Sequence, residues 1–102
     1  MPKPPGPPKP PSGGGGGNTN ACNSLCRAIA ANLQLRNDLN AAGLNVELEL
    51  NYDETPNNPI IIKVTAVNLQ NCTIRGTEVL TGATKIATCS FVFNNYIDMQ
   101  LN

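Results

Sequence analysis

Histidine and tryptophan are both absent from this chain of 102 residues. Without histidine, the chain lacks the commonest general base near neutral pH and the commonest side-chain metal ligand. Serine residues such as Ser24 and Ser90 therefore have no histidine to activate them as nucleophiles. These absences predict that the protein is not an enzyme and that it uses no cofactor or metal ion.

Charged and aromatic residues are scarce as well. Seven basic and seven acidic residues cancel, and only four residues are aromatic. Neither feature favours binding to nucleic acid, which needs positive charge or rings that stack on bases. No apolar run could span a bilayer, and the N-terminus has no apolar stretch typical of a signal peptide. A near-neutral surface rich in asparagine and threonine instead favours self-association.

Proline and glycine are concentrated at the start of the chain. All but two of the nine prolines lie in residues 1–12, and five glycines follow at Gly13–Gly17. Such a proline run favours a stiff, extended polyproline II conformation, whereas a glycine run is flexible. We therefore expect an extended arm and hinge at 1–17 and one small domain at 18–102.

The arm contains "PPGPPK", which has the Pro-x-x-Pro-x-Lys form of a minimal ligand for SH3 domains. An SH3-type partner is thus one interpretation. The same pattern arises by chance in any proline-rich tail. A spacer or packing arm is the interpretation that we favour.

A helix is expected directly after the arm. Asn18, Thr19 and Asn20 are all residue types that cap helix N-termini. Gly43 stands where a glycine commonly ends a helix. Between them, apolar side chains recur at helical spacing and form one stripe: Cys22, Cys26, Ile29 and Leu33.

The hydrophobic period then changes from helix to strand. "LNVELELNY" alternates apolar and polar residues without interruption, as a strand with one buried face does. Further strands are predicted for "IIIKVTAVNL", "CTIRGTEVL" and "TKIATCSFVF", with a short fifth strand at "YIDMQL". Short connections favour antiparallel neighbours. The expected fold is α+β: one N-terminal helix packed on a four- or five-stranded antiparallel meander. The alternative is a small β-sandwich or barrel with one helix.

Four cysteines, Cys22, Cys26, Cys72 and Cys89, are candidates for disulfides. If the third and fourth strands pair about a turn at Thr81–Gly82, Cys72 lies opposite Phe91 and Cys89 opposite Ile74. The helix cysteines and the sheet cysteines could then meet in one layer. We favour structural disulfides over a four-thiolate zinc site and over buried reduced thiols. Three pairings are possible, and bridges between subunits also stay open.

These features lead to a hypothesis about function. We expect a non-enzymatic structural protein that self-assembles on an extracellular or particle surface, as a filament, appendage or coat subunit. Its location would be extracellular or on the surface of a cell or spore, for example in a spore coat. Six arm residues would contact neighbouring subunits: Pro4, Pro5, Pro7, Pro8, Pro10 and Pro11. The alternative is a secreted monomeric binding or inhibitor domain that engages its target with the arm.

Overall fold

The structure, a computed structural model, describes residues 22–102, and the predicted arm at 1–17 lies outside them. The described part is an α+β domain with two helices and one five-stranded antiparallel sheet. In chain order, its elements are α1 (Ser24–Ala41), β1 (Leu48–Thr55), β2 (Asn58–Asn68), β3 (Thr73–Glu78), β4 (Thr84–Thr88), α2 (Cys89–Asn95) and β5 (Tyr96–Leu101).

The strand order is β4-β3-β2-β1-β5. The first four strands form the predicted meander. The fifth strand does not continue it, because β5 pairs with β1 at the opposite edge of the sheet. The intervening helix α2 packs on β1 and β4 and carries the chain across the sheet. A five-stranded meander is therefore wrong for this protein.

Helix α1 begins later than its sequence suggested. Its N-cap is Asn23, whose Oδ1 accepts a hydrogen bond from the backbone N–H of Cys26 at 2.8 Å. The helix ends as predicted: Gly43 has a φ of 100°, and its N–H donates to the carbonyl oxygen of Asn40 at 3.0 Å. The apolar stripe is confirmed, since all four of its members are buried: Cys22, Cys26, Ile29 and Leu33.

The alternating segment forms β1, but only from Leu48 onward. Leu48, Leu50 and Tyr52 all point into the core, and Leu48 and Leu50 have no exposed surface. Leu44 lies in the connection before the strand and is 55% exposed. The predicted alternation is thus correct for β1 and wrong for the residues just before it. The neighbouring strand β2 supplies three more core side chains: Ile60, Ile62 and Val64.

Helix α2 was not expected. "TKIATCSFVF" was predicted to be a strand throughout, yet the strand ends at Thr88 and a helix follows. Thr88 is the N-cap, and its Oγ1 accepts a hydrogen bond from the N–H of Phe91 at 3.1 Å. Cys89 and Val92, three residues apart, are both buried against the core. About two turns of helix thus form here, although Phe91, Val92 and Phe93 are types that favour strands.

Both helices lie on one face of the sheet, and within residues 22–102 no element covers the other face. Side chains on that second face are exposed or half-buried, as Ile61 in β2 and Arg75 in β3 are. The described chain is a single open sheet, so the alternative of a sandwich or barrel is wrong. None of the helices in this part of the chain has the length and apolar character needed to cross a membrane.

Candidate functional site

Two disulfides connect the start of α1 to the residue before β3 and to the first residue of α2. Cys22 is bonded to Cys72 and Cys26 to Cys89, with Cα–Cα distances of 5.4 and 5.3 Å. The prediction of disulfides is confirmed, and both lie within one subunit. All four cysteines are in disulfides, so no thiolate is left to bind a zinc ion. The alternative interpretations, a zinc site and buried reduced thiols, are therefore wrong.

The register of β3 and β4 differs from the expected one. Ile74 pairs with Ala87 rather than with Cys89. The pairing partner on β4 is thus two residues earlier than predicted, and the centre of the turn is one residue earlier. A two-residue shift keeps every side chain on its original face, so the cysteines still meet in one layer. Cys89 now follows the strand, and its N–H donates to the carbonyl oxygen of Cys72 at 2.8 Å.

A cleft opens beside this disulfide layer, between α2 and the ends of β1 and β4. The rings of Tyr52 and Phe91 meet edge to face, with centroids 6.1 Å apart and planes at 87°. The cleft has a volume of about 340 Å³. Seven residues line it: Tyr52, Glu54, Lys85, Ile86, Ala87, Thr88 and Phe91. It therefore combines an aromatic wall with a charged rim.

The charged rim consists of Lys85 and Glu54, and the buried Glu78 lies beside Lys85 without lining the cleft. Lys85 Nζ lies 2.7 Å from Glu54 Oε2 and 3.7 Å from Glu78 Oε1. The hydrogen bond that Lys85 donates to Glu54 raises the pKa of Lys85 above its ordinary value. Burial, and then the Glu54 carboxylate, raise the pKa of Tyr52. One ammonium shared by two carboxylates gives this group of three a formal net charge of one negative.

This arrangement suits binding better than chemistry. The lysine is held by carboxylates that keep it protonated, so it is a poor nucleophile or base. Across residues 22–102, no group of three or more histidine, cysteine, aspartate or glutamate side chains could hold a metal ion. An aromatic wall with a few polar groups at its rim is typical of a small recognition surface.

This cleft is not predicted by the sequence pattern. One signal was available: the alternation that points Tyr52 into the core also points Glu54 to the same face, two residues on. Lys85 and Phe91 could not have been assigned to the cleft, because their positions depend on α2 and on the register of β4. Tertiary structure alone brings these four side chains together.

The arm prolines that were assigned to subunit contacts lie outside residues 22–102, so their role stays a prediction. The cysteines are the predicted site residues that the structure does place, and it places them in the core rather than in the cleft. The chain matches no family model, no curated protein and no solved structure.

Proposed function

We propose that this protein is a non-enzymatic structural subunit that self-assembles on an extracellular or particle surface. The observation that supports the proposal is the pair of open sheet edges at β4 and β5. Among the described residues, β4 pairs only with β3, and β5 pairs only with β1. Each strand thus presents a row of unpaired backbone groups, which is a template for pairing with another chain.

Proteins that stay monomeric usually protect such edges with proline, with charge or with a cover. Strand β4 contains no proline, and its one charged residue is Lys85, whose ammonium is already bound by Glu54. Ile86 on the same strand is 66% exposed. On the other edge, Tyr96 and Ile97 of β5 are 41% and 44% exposed. Both edges therefore combine free backbone groups with exposed apolar side chains.

The two edges can also generate a continuous assembly. Strands β1 and β3 are parallel to each other, because both are antiparallel to β2. Strand β4 is antiparallel to β3 and β5 is antiparallel to β1, so β4 and β5 run in the same direction. When β5 of one copy meets β4 of the next, the two surfaces are different. Such a head-to-tail contact repeats and produces a ring or an open filament. A filament, appendage or coat layer fits this geometry.

The disulfides fit the proposed location. A small domain has a limited core, and disulfides are common where such domains operate in oxidising surroundings. Two disulfides that tie helix α1 to β3 and α2 would keep the subunit folded outside a cell. Placement on a spore surface belongs to this proposal as one case of a particle surface.

A pair of matched substitutions tests the edge contact. Ile86 and Ile61 are both exposed isoleucines on the helix-free face, but Ile86 is on edge strand β4 and Ile61 is on central strand β2. We expect Ile86→Lys to abolish assembly, because it places an uncompensated charge at the contact. Ile61→Lys should assemble as the original chain does. Light scattering and electron micrographs of the purified full chain measure both.

A chain that stays monomeric at high concentration would contradict the proposal and favour the alternative, a secreted binding or inhibitor domain. Equal assembly by the Ile86→Lys and Ile61→Lys variants would support self-assembly but would exclude β4 as the contact. Measuring the unsubstituted chain each time distinguishes this outcome from a chain that never assembles.

A further inference from the structure

We propose that the cleft between α2 and β4 is the binding site for the proline-rich arm of a neighbouring copy. The occupant is residues 2–11 of that copy. This inference rests on the proposed function and deepens it, because it assigns the arm a specific site on the next subunit.

The aromatic wall of the cleft matches the chemistry of the arm. Extended proline-rich segments bind to grooves lined by aromatic side chains, where proline rings pack on flat faces at a low entropy cost. Here Tyr52 is 2% exposed and stands as a fixed wall, whereas Phe91 is 39% exposed and presents ring surface to the cleft. Their edge-to-face contact holds the Phe91 ring in place. A volume of about 340 Å³ accommodates a few residues of an extended chain.

The charges are complementary as well. Residues 1–17 contain Lys3 and Lys9 and no acidic residue. The cleft is lined by the carboxylate of Glu54 and the ammonium of Lys85, and the buried carboxylate of Glu78 lies 3.7 Å from that ammonium. A segment with positive charge therefore approaches a group of three charges whose formal sum is one negative, which favours association.

The position of the cleft also fits. The first described residue, Cys22, is bonded to Cys72, whose carbonyl oxygen accepts from the N–H of Cys89. Cys89 adjoins Thr88 in the cleft wall. Cys22 thus lies near the cleft of its own subunit, and in a head-to-tail array the chain that precedes Cys22 must cross about one subunit repeat to reach the equivalent cleft of the next copy.

The length of the connection allows this. When residues 2–11 occupy the cleft, residues 12–21 connect them to Cys22, and ten residues span at most about 35 Å. Five-stranded sheets paired edge to edge repeat about every 24 Å, at about 4.8 Å per strand. The connection is therefore long enough to reach the next copy, and it holds the arm near that cleft at a high effective concentration.

The first experiment measures binding of a labelled peptide of residues 1–12 by fluorescence anisotropy. The receptor is the full chain in which Pro4, Pro5, Pro7 and Pro8 are glycine, so that its own arm does not compete. We expect Phe91→Ala to weaken binding by about tenfold or more, since it removes the exposed aromatic surface. Phe93→Ala is the matched control, because Phe93 is in the same helix and is 56% exposed but does not line the cleft. The Phe93→Ala variant should bind the peptide as tightly as the receptor without it.

Two charge variants should shift binding with opposite signs. Glu54→Gln removes the carboxylate that lines the cleft and should weaken binding. Lys85→Met leaves two carboxylates and should tighten it. Both changes should shrink at high salt, because partly exposed charges are screened. A purely structural role for these residues would not produce opposite shifts. No binding of the peptide, or equal binding by the Phe91→Ala and Phe93→Ala variants, would overturn the proposal even if the chain assembles.

The second experiment identifies the neighbour. The glycine-substituted chain has an intact cleft and an altered arm, and the full chain with Phe91→Ala has the reverse. Mixed together, they should assemble at a lower concentration than either variant does alone, as measured by light scattering, because only the mixture pairs an intact arm with an intact cleft. Peptide binding without this gain in the mixture would contradict the neighbouring-copy assignment. Peptide binding by a chain that never assembles would contradict the proposed function and leave the cleft as an arm-binding site.

Discussion

The side chain of Asn23 forms hydrogen bonds with the backbone of both cysteines of one disulfide, Cys26 and Cys89. Its Oδ1 accepts from the N–H of Cys26 at 2.8 Å, and its Nδ2 donates to the carbonyl oxygen of Cys89 at 3.1 Å. One amide therefore caps helix α1 and holds helix α2 against it, next to the Cys26–Cys89 bridge. The start of each helix is positioned by the other.

This relationship predicts graded losses at Asn23. Asn23→Ala removes the cap and the bond to Cys89, and should lower the free energy of unfolding by about 2 kcal/mol. Asn23→Ser keeps a capping oxygen but lacks the amide donor, and should lose about 1 kcal/mol. Urea unfolding measures both. Equal losses would mean that the bond to Cys89 does not contribute.

The Cys26–Cys89 bridge should contribute strongly to stability. Replacing both residues with alanine should lower the free energy of unfolding by about 2–4 kcal/mol, because the unfolded chain gains freedom. Intact mass before and after reduction checks that the native protein contains the bridges: each should add two hydrogens on reduction. Four alkylatable thiols in the unreduced protein would contradict this prediction.

Leu48 and Glu49 are neighbours on β1 that face opposite sides of the sheet. Leu48 has no exposed surface, so Leu48→Asp buries an unpaired charge and should unfold the domain. Glu49 lies opposite Lys63 on the helix-free face, and Glu49→Gln should change stability by less than about 0.5 kcal/mol. Circular dichroism on heating separates the two variants. A folded Leu48→Asp protein would show that the face assignment is incorrect.

Stability should fall in alkaline solution because of the cleft. The pKa values of Tyr52 and Lys85 are both raised above their ordinary 10.0 and 10.5 in the folded state. A raised folded pKa means that the unfolded chain loses its proton first. The resulting stabilisation is complete below the ordinary pKa and is lost as pH rises through the folded value. The decline should therefore begin near pH 10.

Tyr52→Phe tests the alkaline prediction, since it removes one of the two groups. Its free energy of unfolding should decrease less steeply between neutral pH and pH 11 than that of the original chain. Thermal unfolding across this range measures the slope. Identical slopes would mean that Tyr52 does not titrate differently on folding.

The sequence by itself determined most of the local structure. The spacing of Cys26, Ile29 and Leu33 correctly predicted the buried stripe of α1, because a helix brings residues three and four apart to one face. Cys22 precedes the helix and is buried as well. The alternation through Leu48, Leu50 and Tyr52 likewise predicted the buried face of β1, since side chains of a strand alternate. Even with a register error of two residues, the cysteines were correctly assigned to one layer.

Tertiary structure decided what local pattern does not encode. Phe91, Val92 and Phe93 are residue types that suit a strand, yet the bridge between Cys89 and Cys26, the cap at Thr88 and the burial of Val92 hold the segment as α2. The "YIDMQL" strand was predicted with the correct bounds, but periodicity indicates which face of a strand is buried and not which strand lies beside it. Once α2 crosses the sheet, β5 pairs with β1, and within residues 22–102 strand β4 is left as an edge. The cleft then forms between α2 and the ends of β1 and β4. These are contacts between residues far apart in the chain, and only the folded domain determines them.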